Sequence, residues 1–115
     1  MQTINRNLIY IVPKKACIDW VNNIFPDDPV YNKEMEGHDY ASVFLVPEFD
    51  TAEEAIRWME KSWETWFDSL LLEWCADEDF WPQNRSWSLL NEYFDIRYHS
   101  LIFDTLPLQI KKEEI

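Results

Sequence analysis

Apolar and polar positions along the chain alternate between short strand-like runs and longer stretches with helical spacing. Residues 7–12, NLIYIV, form a β-rich apolar run that Pro13 stops. Apolar side chains occupy both alternating faces of this run, which predicts a strand that is covered on both sides or is at least central. Two further runs, at 40–46 before Pro47 and at 95–104, predict a second and a third strand.

Helical spacing predicts three helices. Residues 14–25 repeat apolar side chains at steps of three and four, and Pro26 ends that helix. The longest predicted helix runs from Thr51 to about residue 76, with Thr51 and Glu54 as a capping box at its start. A short helix over 86–94 has Ser86 as its cap. The apolar face of the long helix comprises Ile56, Met59, Trp63, Trp66, Phe67, Leu70 and Trp74.

The resulting order, β-α-β-α-α-β, predicts an α+β fold in which a small three-stranded sheet packs against helices as a two-layer sandwich. A right-handed crossover would make the first two strands parallel, whereas the direction of the third strand stays open. At 115 residues the chain has the size of a single domain spanning 1–115. Residues 107–115, from the last proline onward, are expected to be loosely attached.

The net charge of −12 limits the classes of partner. Phosphate groups need Lys and Arg, so direct nucleic-acid binding and attachment to anionic membranes are not expected. The chain has no apolar stretch of about 18 residues and its N-terminus does not resemble a signal peptide, which predicts a cytoplasmic location without a membrane span. An acidic surface suits a basic partner, although solubility alone accounts for such a charge in many proteins.

Known catalytic signatures are missing from the sequence. With Gly37 as the one glycine, neither a P-loop nor a dinucleotide-binding turn can form, and CxxC, HExxH and GxSxG motifs are absent. We therefore expect no catalytic residues and no cofactor. Cys17 and Cys75 fit helical apolar patterns as buried small side chains. One loop carries a histidine among acids, too few converging ligands to predict a metal site. These loop residues are Glu34, Glu36, His38 and Asp39.

Arginine, histidine and tryptophan residues near the strand ends suggest a pocket for an anionic ligand at the sheet edge. Arg97 and His99 share one face of the third predicted strand, so that an arginine could hold the anion and the histidine transfer a proton. The alternative is that these side chains belong to internal networks with some of the many acids, or stack on tryptophan to fix a loop. The candidate pocket residues are Asn5, Arg6, Trp81, Arg85, Arg97 and His99.

The long predicted helix offers a candidate partner surface. Residues 48–79 hold eleven acids against Arg57 and Lys61, and like charges recur along one flank of the helix. Two large apolar side chains fall opposite its apolar face, where exposure would indicate a protein partner or a homodimer. Alternatively, the acids form a solvated helix face and another segment covers the apolar pair. The candidate surface residues are Trp58, Glu60, Glu64, Asp68 and Leu72.

Short motifs spread over nearly the whole chain carry a resemblance. The chain resembles a group of short, acidic bacterial proteins of unknown function, and this resemblance implies a class but no activity. The motifs are Asn5-Arg6, Pro13, Asp19-Trp20, Pro47-Glu48-Phe49-Asp50, Trp81-Pro82, Arg85, His99-Ser100 and Asp104.

The preferred hypothesis from the sequence is a non-enzymatic cytoplasmic interaction domain that uses the acidic helix flank or the apolar pair beside it. A small enzyme or anionic-ligand-binding domain, with the arginine and histidine pocket, is the alternative. A third option is mimicry of nucleic acid by the acidic stripe, which would inhibit a basic protein.

Overall fold

A computed structural model of the chain describes residues 1–30 and 40–115. Within these ranges it has four α-helices, one short 3-10 helix and five strands. The strands are β1 Gln2–Thr3, β2 Asn7–Pro13, β3 Ser42–Val46, β4 Phe94–His99 and β5 Phe103–Asp104. The helices are α1 Lys15–Ile24, α2 Ala52–Glu60, α3 Trp63–Trp74 and α4 Trp87–Tyr93, with the 3-10 helix at Glu78–Phe80.

The main sheet has three antiparallel strands in the order β3-β2-β4. The predicted α+β class, with a small sheet packed against helices, is confirmed, and β2 is the central strand, as its apolar pattern predicted. The expectation of a parallel pair was wrong, because Asn7 pairs with Val46 while Ile11 pairs with Ser42.

The helices cover one face of this sheet, and the core lies between the two layers. Alternate residues of β2 are buried there, with Ile9 and Ile11 almost fully enclosed. They pack in one cluster with Met59 of α2, Phe67 of α3 and Leu90 of α4. The buried centre of this cluster is mostly aliphatic, and aromatic side chains such as Trp63, Trp66 and Trp74 pack around it partly buried.

The predicted long helix is broken, and the single amphipathic helix over 51–76 was therefore wrong. Helix α2 ends at Glu60, and α3 begins at Trp63. The Ser62 N–H donates to the Met59 carbonyl at 3.1 Å, a tightened turn of the kind that closes helices. Helix α2 lies against β4 whereas α3 lies against α4, so the break lets each half follow its own neighbour. The apolar spacing continues across it, so periodicity alone could not detect it.

The two predicted helix caps, Thr51 and Ser86, are both present. Thr51 Oγ1 accepts from the Glu54 N–H at 3.2 Å, and Ser86 Oγ accepts from the Leu89 N–H at 3.0 Å. The Glu54 carboxylate reaches the Asp50 N–H at 3.4 Å, one residue before the donor of a regular capping box. The local signals for where these helices begin were therefore read correctly.

The third predicted strand is also divided. Strand β4 ends at His99, and β5 pairs instead with β1 in a separate two-stranded ribbon, with Gln2 opposite Asp104. The ribbon is followed by residues 105–115, which form no helix or strand and are exposed throughout. We call residues 105–115 the tail.

Candidate functional site

Two of the six predicted pocket residues lie together on the helical side of the sheet. Trp81 is buried in the core, and its indole N–H donates to the Cys75 carbonyl at 2.8 Å. The Arg85 guanidinium lies 5.7 Å from the centre of the Trp81 ring and donates to the Pro82 carbonyl. Arg85 also lies 3.6 Å from an Asp68 carboxylate oxygen. These contacts match the internal network named as the alternative, in which arginine and tryptophan fix a loop.

Arg97 and His99 lie elsewhere, on the sheet face opposite the helices. The Arg97 Nε donates to Asp95 at 2.8 Å, and this hydrogen bond raises the pKa of the arginine. The guanidinium also lies 5.5 Å from the centre of the Tyr10 ring, and the His99 ring lies 6.3 Å from the same ring. Both side chains therefore belong to an exposed sheet surface around Tyr10.

Asn5 and Arg6 lie between β1 and β2, where the Arg6 guanidinium donates to the Asn5 carbonyl at 2.9 Å. The six candidates are thus distributed over the helical layer, the opposite sheet face and a strand junction. One shared pocket was the wrong expectation, because the sheet itself separates Trp81 from Arg97. The loop residues considered for a metal site, Glu34, Glu36, His38 and Asp39, lie outside the described residues.

The predicted partner surface is split by the helix break. Trp58 lies on α2, where it is exposed at its edge and contacts the rings of Phe49 and Trp66. Leu72 lies on α3 and is exposed. The acids are exposed as well, but Glu60 ends one helix while Glu64 begins the next, and Asp68 is paired with an arginine. The five residues do not form one continuous helix flank.

A shallow groove of about 540 Å³ lies on the surface of α2. Its lining residues are Ala52, Glu53, Ile56 and Arg57. All four belong to one helix, so the groove lacks the convergence of polar groups from several elements that defines a ligand site.

The sheet face opposite the helices is the clearest unexplained surface. Its middle row consists of Leu8, Tyr10 and Val12 on β2, the residues that alternate with the buried ones. Leu45 and Val43 of β3 stand directly opposite Leu8 and Tyr10, respectively. On the other side, β4 contributes Asp95, Arg97 and His99, which pair with Val12, Tyr10 and Leu8. We call these eight residues the open face.

The open face is apolar where an antiparallel sheet usually is polar. Such a sheet commonly packs one face on the core and presents polar residues on the other. Here Val43 and Leu45 are 58% and 50% exposed, and the three middle residues are only partly covered by their neighbours. Cross-strand pairs of aromatic and aliphatic side chains stabilise the sheet at this surface. It is suited to covering by another apolar surface.

Sequence reasoning missed the open face, although a signal for it was present. Apolar residues on both faces of β2 predicted a strand covered on both sides, and the structure covers one side only. The β3 run, SVFLV, has the same property, because Val43 and Leu45 alternate with Phe44 and Val46. Two adjacent strands with apolar residues on both faces indicate a second layer that the helices within residues 1–30 and 40–115 do not supply.

Asn7 also has a structural role that the sequence did not indicate. It is 4% exposed, and its Nδ2 donates to the Ser100 carbonyl at 3.0 Å. Its Oδ1 accepts from the Phe49 N–H at 2.8 Å and from the Tyr98 hydroxyl at 2.5 Å. One amide thus ties the start of β2 to the end of β4 and to the segment that leads into α2. These hydrogen bonds hold together the end of the sheet from which β1 and β5 extend.

The two cysteines are free and buried, as their helical patterns predicted. Burial raises the pKa of the Cys17 thiol from 9.0 to about 12, so the thiol stays protonated at neutral pH. Because the thiolate is the reactive form, Cys17 acts as a small core side chain. Across residues 1–30 and 40–115, no group of three or more histidine, cysteine or acidic side chains is placed to hold a metal ion.

Comparison with known proteins gave no match to a family model, a curated protein or a solved structure. The resemblance to short acidic bacterial proteins therefore stays a prediction. In the part of the chain that the structure describes, every helix is too short or too polar to cross a membrane.

Proposed function

We propose that this protein is a non-enzymatic, cytoplasmic protein-interaction domain and that its docking surface is the open face of its sheet. The observation that carries the proposal is Tyr10, which stands on the central strand with aliphatic neighbours along β2 and β3 and Arg97 beside its ring. Tyrosine and arginine are enriched at the centres of protein interfaces, where they contribute most of the binding free energy. Apolar patches rimmed by polar residues are typical of such interfaces.

Burial energies support this choice of surface. Complete burial of a valine or leucine side chain contributes about 1.5–3 kcal/mol, so covering the half-exposed Val43 and Leu45 contributes about 1 kcal/mol each. Asp95 and Arg97 are paired at 2.8 Å, so a partner that covers them buries an ion pair, which costs less than burying a single charge. The open face can therefore be covered without leaving a new unpaired charge.

The acidic residues of the helices are not part of the proposed docking surface. They are exposed, and those on α2 and α3 do not form one continuous flank, so we assign them to solubility and long-range charge. The ligand-binding alternative is not favoured, because Arg85 and Arg97 are each engaged with an aspartate and lie in different layers. Two free buried thiols suit the reducing conditions of the cytoplasm.

Site-specific photo-crosslinking tests the proposal. The photo-reactive residue p-benzoylphenylalanine replaces Val43 in one variant and Leu72 in another, and cells that produce each variant are irradiated. The two positions are matched, since they are 58% and 56% exposed but lie on opposite layers. We expect a discrete protein adduct from position 43, none from position 72, and a yield roughly tenfold lower when Tyr10→Ala is added.

Two results would overturn the proposal. One is the absence of any discrete adduct from position 43. The other is an adduct that forms equally from positions 43 and 72 and does not respond to Tyr10→Ala. The mass of the adduct further distinguishes a second copy of the chain from another protein.

A further inference from the structure

Building on the proposed function, we infer that the partner is a second copy of this chain, and that the tail of each copy covers the open face of the other. The open face alone is small. With strands about 4.8 Å apart and a rise of about 3.3 Å per residue, it covers roughly 300 Å². A standard interface buries about 800 Å² on each partner, so stacking two open faces is not sufficient. Another apolar element has to contribute.

The tail has the composition of such an element. Leu106, Leu108 and Ile110 recur at every second residue and are 63%, 73% and 59% exposed. In an extended chain this spacing places all three side chains on one side. The Leu106 N–H is held by the Asp104 carboxylate at 3.0 Å, and no strand ladder includes the residues that follow. The tail therefore presents an apolar row that nothing in the described ranges buries.

The length of the tail matches the open face. Residues 105–110 span about 20 Å when extended, close to the roughly 23 Å of the seven residues of β2. The tail can thus lie along the row formed by Leu8, Tyr10 and Val12. The tail backbone need not join a ladder for this, which accommodates Pro107 and its missing N–H.

The geometry of the ribbon favours a second copy over the chain's own tail. Strand β5 ends at Asp104, five residues beyond His99 and therefore up to about 16 Å past the nearest row of the open face. A tail that turned back would use most of its length to return, and Ile110 would reach little further than Leu8. Tyr10 would stay uncovered. In a dimer related by a two-fold axis, the tail of one copy does not have to fold back, because it reaches the open face of the other copy. Exchange of an identical segment between two copies is a common route to dimers.

The exposed area of the chain is large enough for this arrangement. The chain exposes 8488 Å², whereas a compact monomer of 14.0 kDa exposes about 6,700 Å². The chain's exposed area exceeds that of a compact monomer by about 1,800 Å², more than the roughly 800 Å² that one partner buries in a standard interface.

Sedimentation velocity on the full chain tests the inference, up to about 100 µM protein. We expect a dimer that is strengthened between about 50 mM and about 500 mM NaCl, because salt screens the repulsion between two chains of net charge −12. Leu108→Glu in the tail and Val43→Glu on the open face should each weaken the dimer at least about tenfold. Leu72→Glu adds the same charge on α3 at a leucine that is 56% exposed, close to the 58% of Val43, and should leave the dimer intact.

Mixing the two interface variants distinguishes tail exchange from sheet stacking. A hybrid dimer of Leu108→Glu with Val43→Glu retains one unmodified tail on one unmodified open face, whereas either variant alone retains none. Because the hybrid keeps one of the two tail contacts, we expect the mixture to associate at least about threefold more tightly than either variant alone. Because these positions are exposed, thermal melts should show all variants folded.

A chain that stays monomeric at every salt concentration, or a mixture that behaves like its two components, would overturn the inference. If the wild-type chain is monomeric while position 43 still gives a Tyr10-dependent adduct with a different protein, the docking function stands and the tail exchange fails. If neither dimer nor adduct forms, both fail.

Discussion

Asn7 allows a stringent test of what holds the end of the sheet from which the β1–β5 ribbon extends. Replacing Asn7 with leucine keeps a side chain of similar size but removes all three of its hydrogen bonds. The Tyr98 hydroxyl retains a second acceptor, the Phe49 carbonyl at 3.0 Å, whereas the Phe49 N–H and the Ser100 carbonyl lose the side-chain partner described above. Asn7→Leu therefore leaves two backbone groups without the amide that satisfies them.

The magnitude follows from the burial of those two groups. A buried polar group left unpaired costs about 1–3 kcal/mol, and one that water can reach costs about 0.5–1.5 kcal/mol. Ser100 is exposed and Phe49 is half-buried, so Asn7→Leu should lower the free energy of unfolding by about 2–4 kcal/mol. A domain of this size has about 5–15 kcal/mol in total, which makes the change easy to resolve.

Urea denaturation followed by tryptophan fluorescence measures this effect. Asn5→Ala is the matched control, because Asn5 is exposed and lies two residues away, and it should change the free energy of unfolding by less than about 0.5 kcal/mol. Tyr98→Phe removes one hydroxyl and should cost about 1 kcal/mol. A loss below about 1 kcal/mol for Asn7→Leu, comparable to the Asn5→Ala control, would refute the role assigned to this amide.

Three further predictions concern stability. Thr51→Ala removes the cap of α2 and should cost about 1 kcal/mol in thermal or urea unfolding; no change would contradict the cap assignment. Trp81→Phe leaves the Cys75 carbonyl without its indole donor and should cost about 1–3 kcal/mol, whereas a neutral effect would show that this bond is dispensable. Because the pKa of Cys17 is raised from 9.0 to about 12, the unfolded chain releases this proton first above pH 9. The free energy of unfolding should then fall by about 1.4 kcal/mol per pH unit up to pH 12, and Cys17→Ala should remove that contribution in urea titrations at pH 8 and 10; an unchanged pH dependence would contradict it.

Much of the fold could be predicted from local signals in the sequence. The apolar run that Pro13 ends is the central strand, and the caps at Thr51 and Ser86 mark helix starts in the structure. These features depend on neighbouring residues, whose preferences can be read one segment at a time. The α+β class follows from their order.

The breaks could not be predicted in the same way. The apolar spacing from Met59 to Trp63 continues through the turn at Ser62. Helices α2 and α3 both bury side chains in the same core, although they contact different neighbouring elements. The last strand divides because β5 pairs with β1, a contact between the two ends of the sequence. Both breaks are set by tertiary packing, which a periodic pattern does not contain.

The candidate site, too, depends on tertiary packing that the sequence pattern does not reveal. Chemically distinctive residues such as Arg85 and His99 drew the pocket hypothesis, and the structure separates them into different layers. The open face was encoded by ordinary aliphatic residues around Tyr10, whose meaning depends on knowing that the helices cover only the opposite side. Charge and rare residue types were therefore poorer guides than apolar side chains on both faces of adjacent strands.

The most direct test of tail exchange is a cross-link from the tail in isotopically mixed protein. The photo-reactive residue p-benzoylphenylalanine replaces Leu108 in ¹⁵N-labelled chain, which is mixed with unlabelled wild-type chain, irradiated and mapped by mass spectrometry. We predict adducts between ¹⁵N tail peptides and unlabelled peptides of β2 or β3 that contain Tyr10 or Val43. Adducts confined to peptides of the same labelled chain, or mapping only to α2 and α3, would contradict the account.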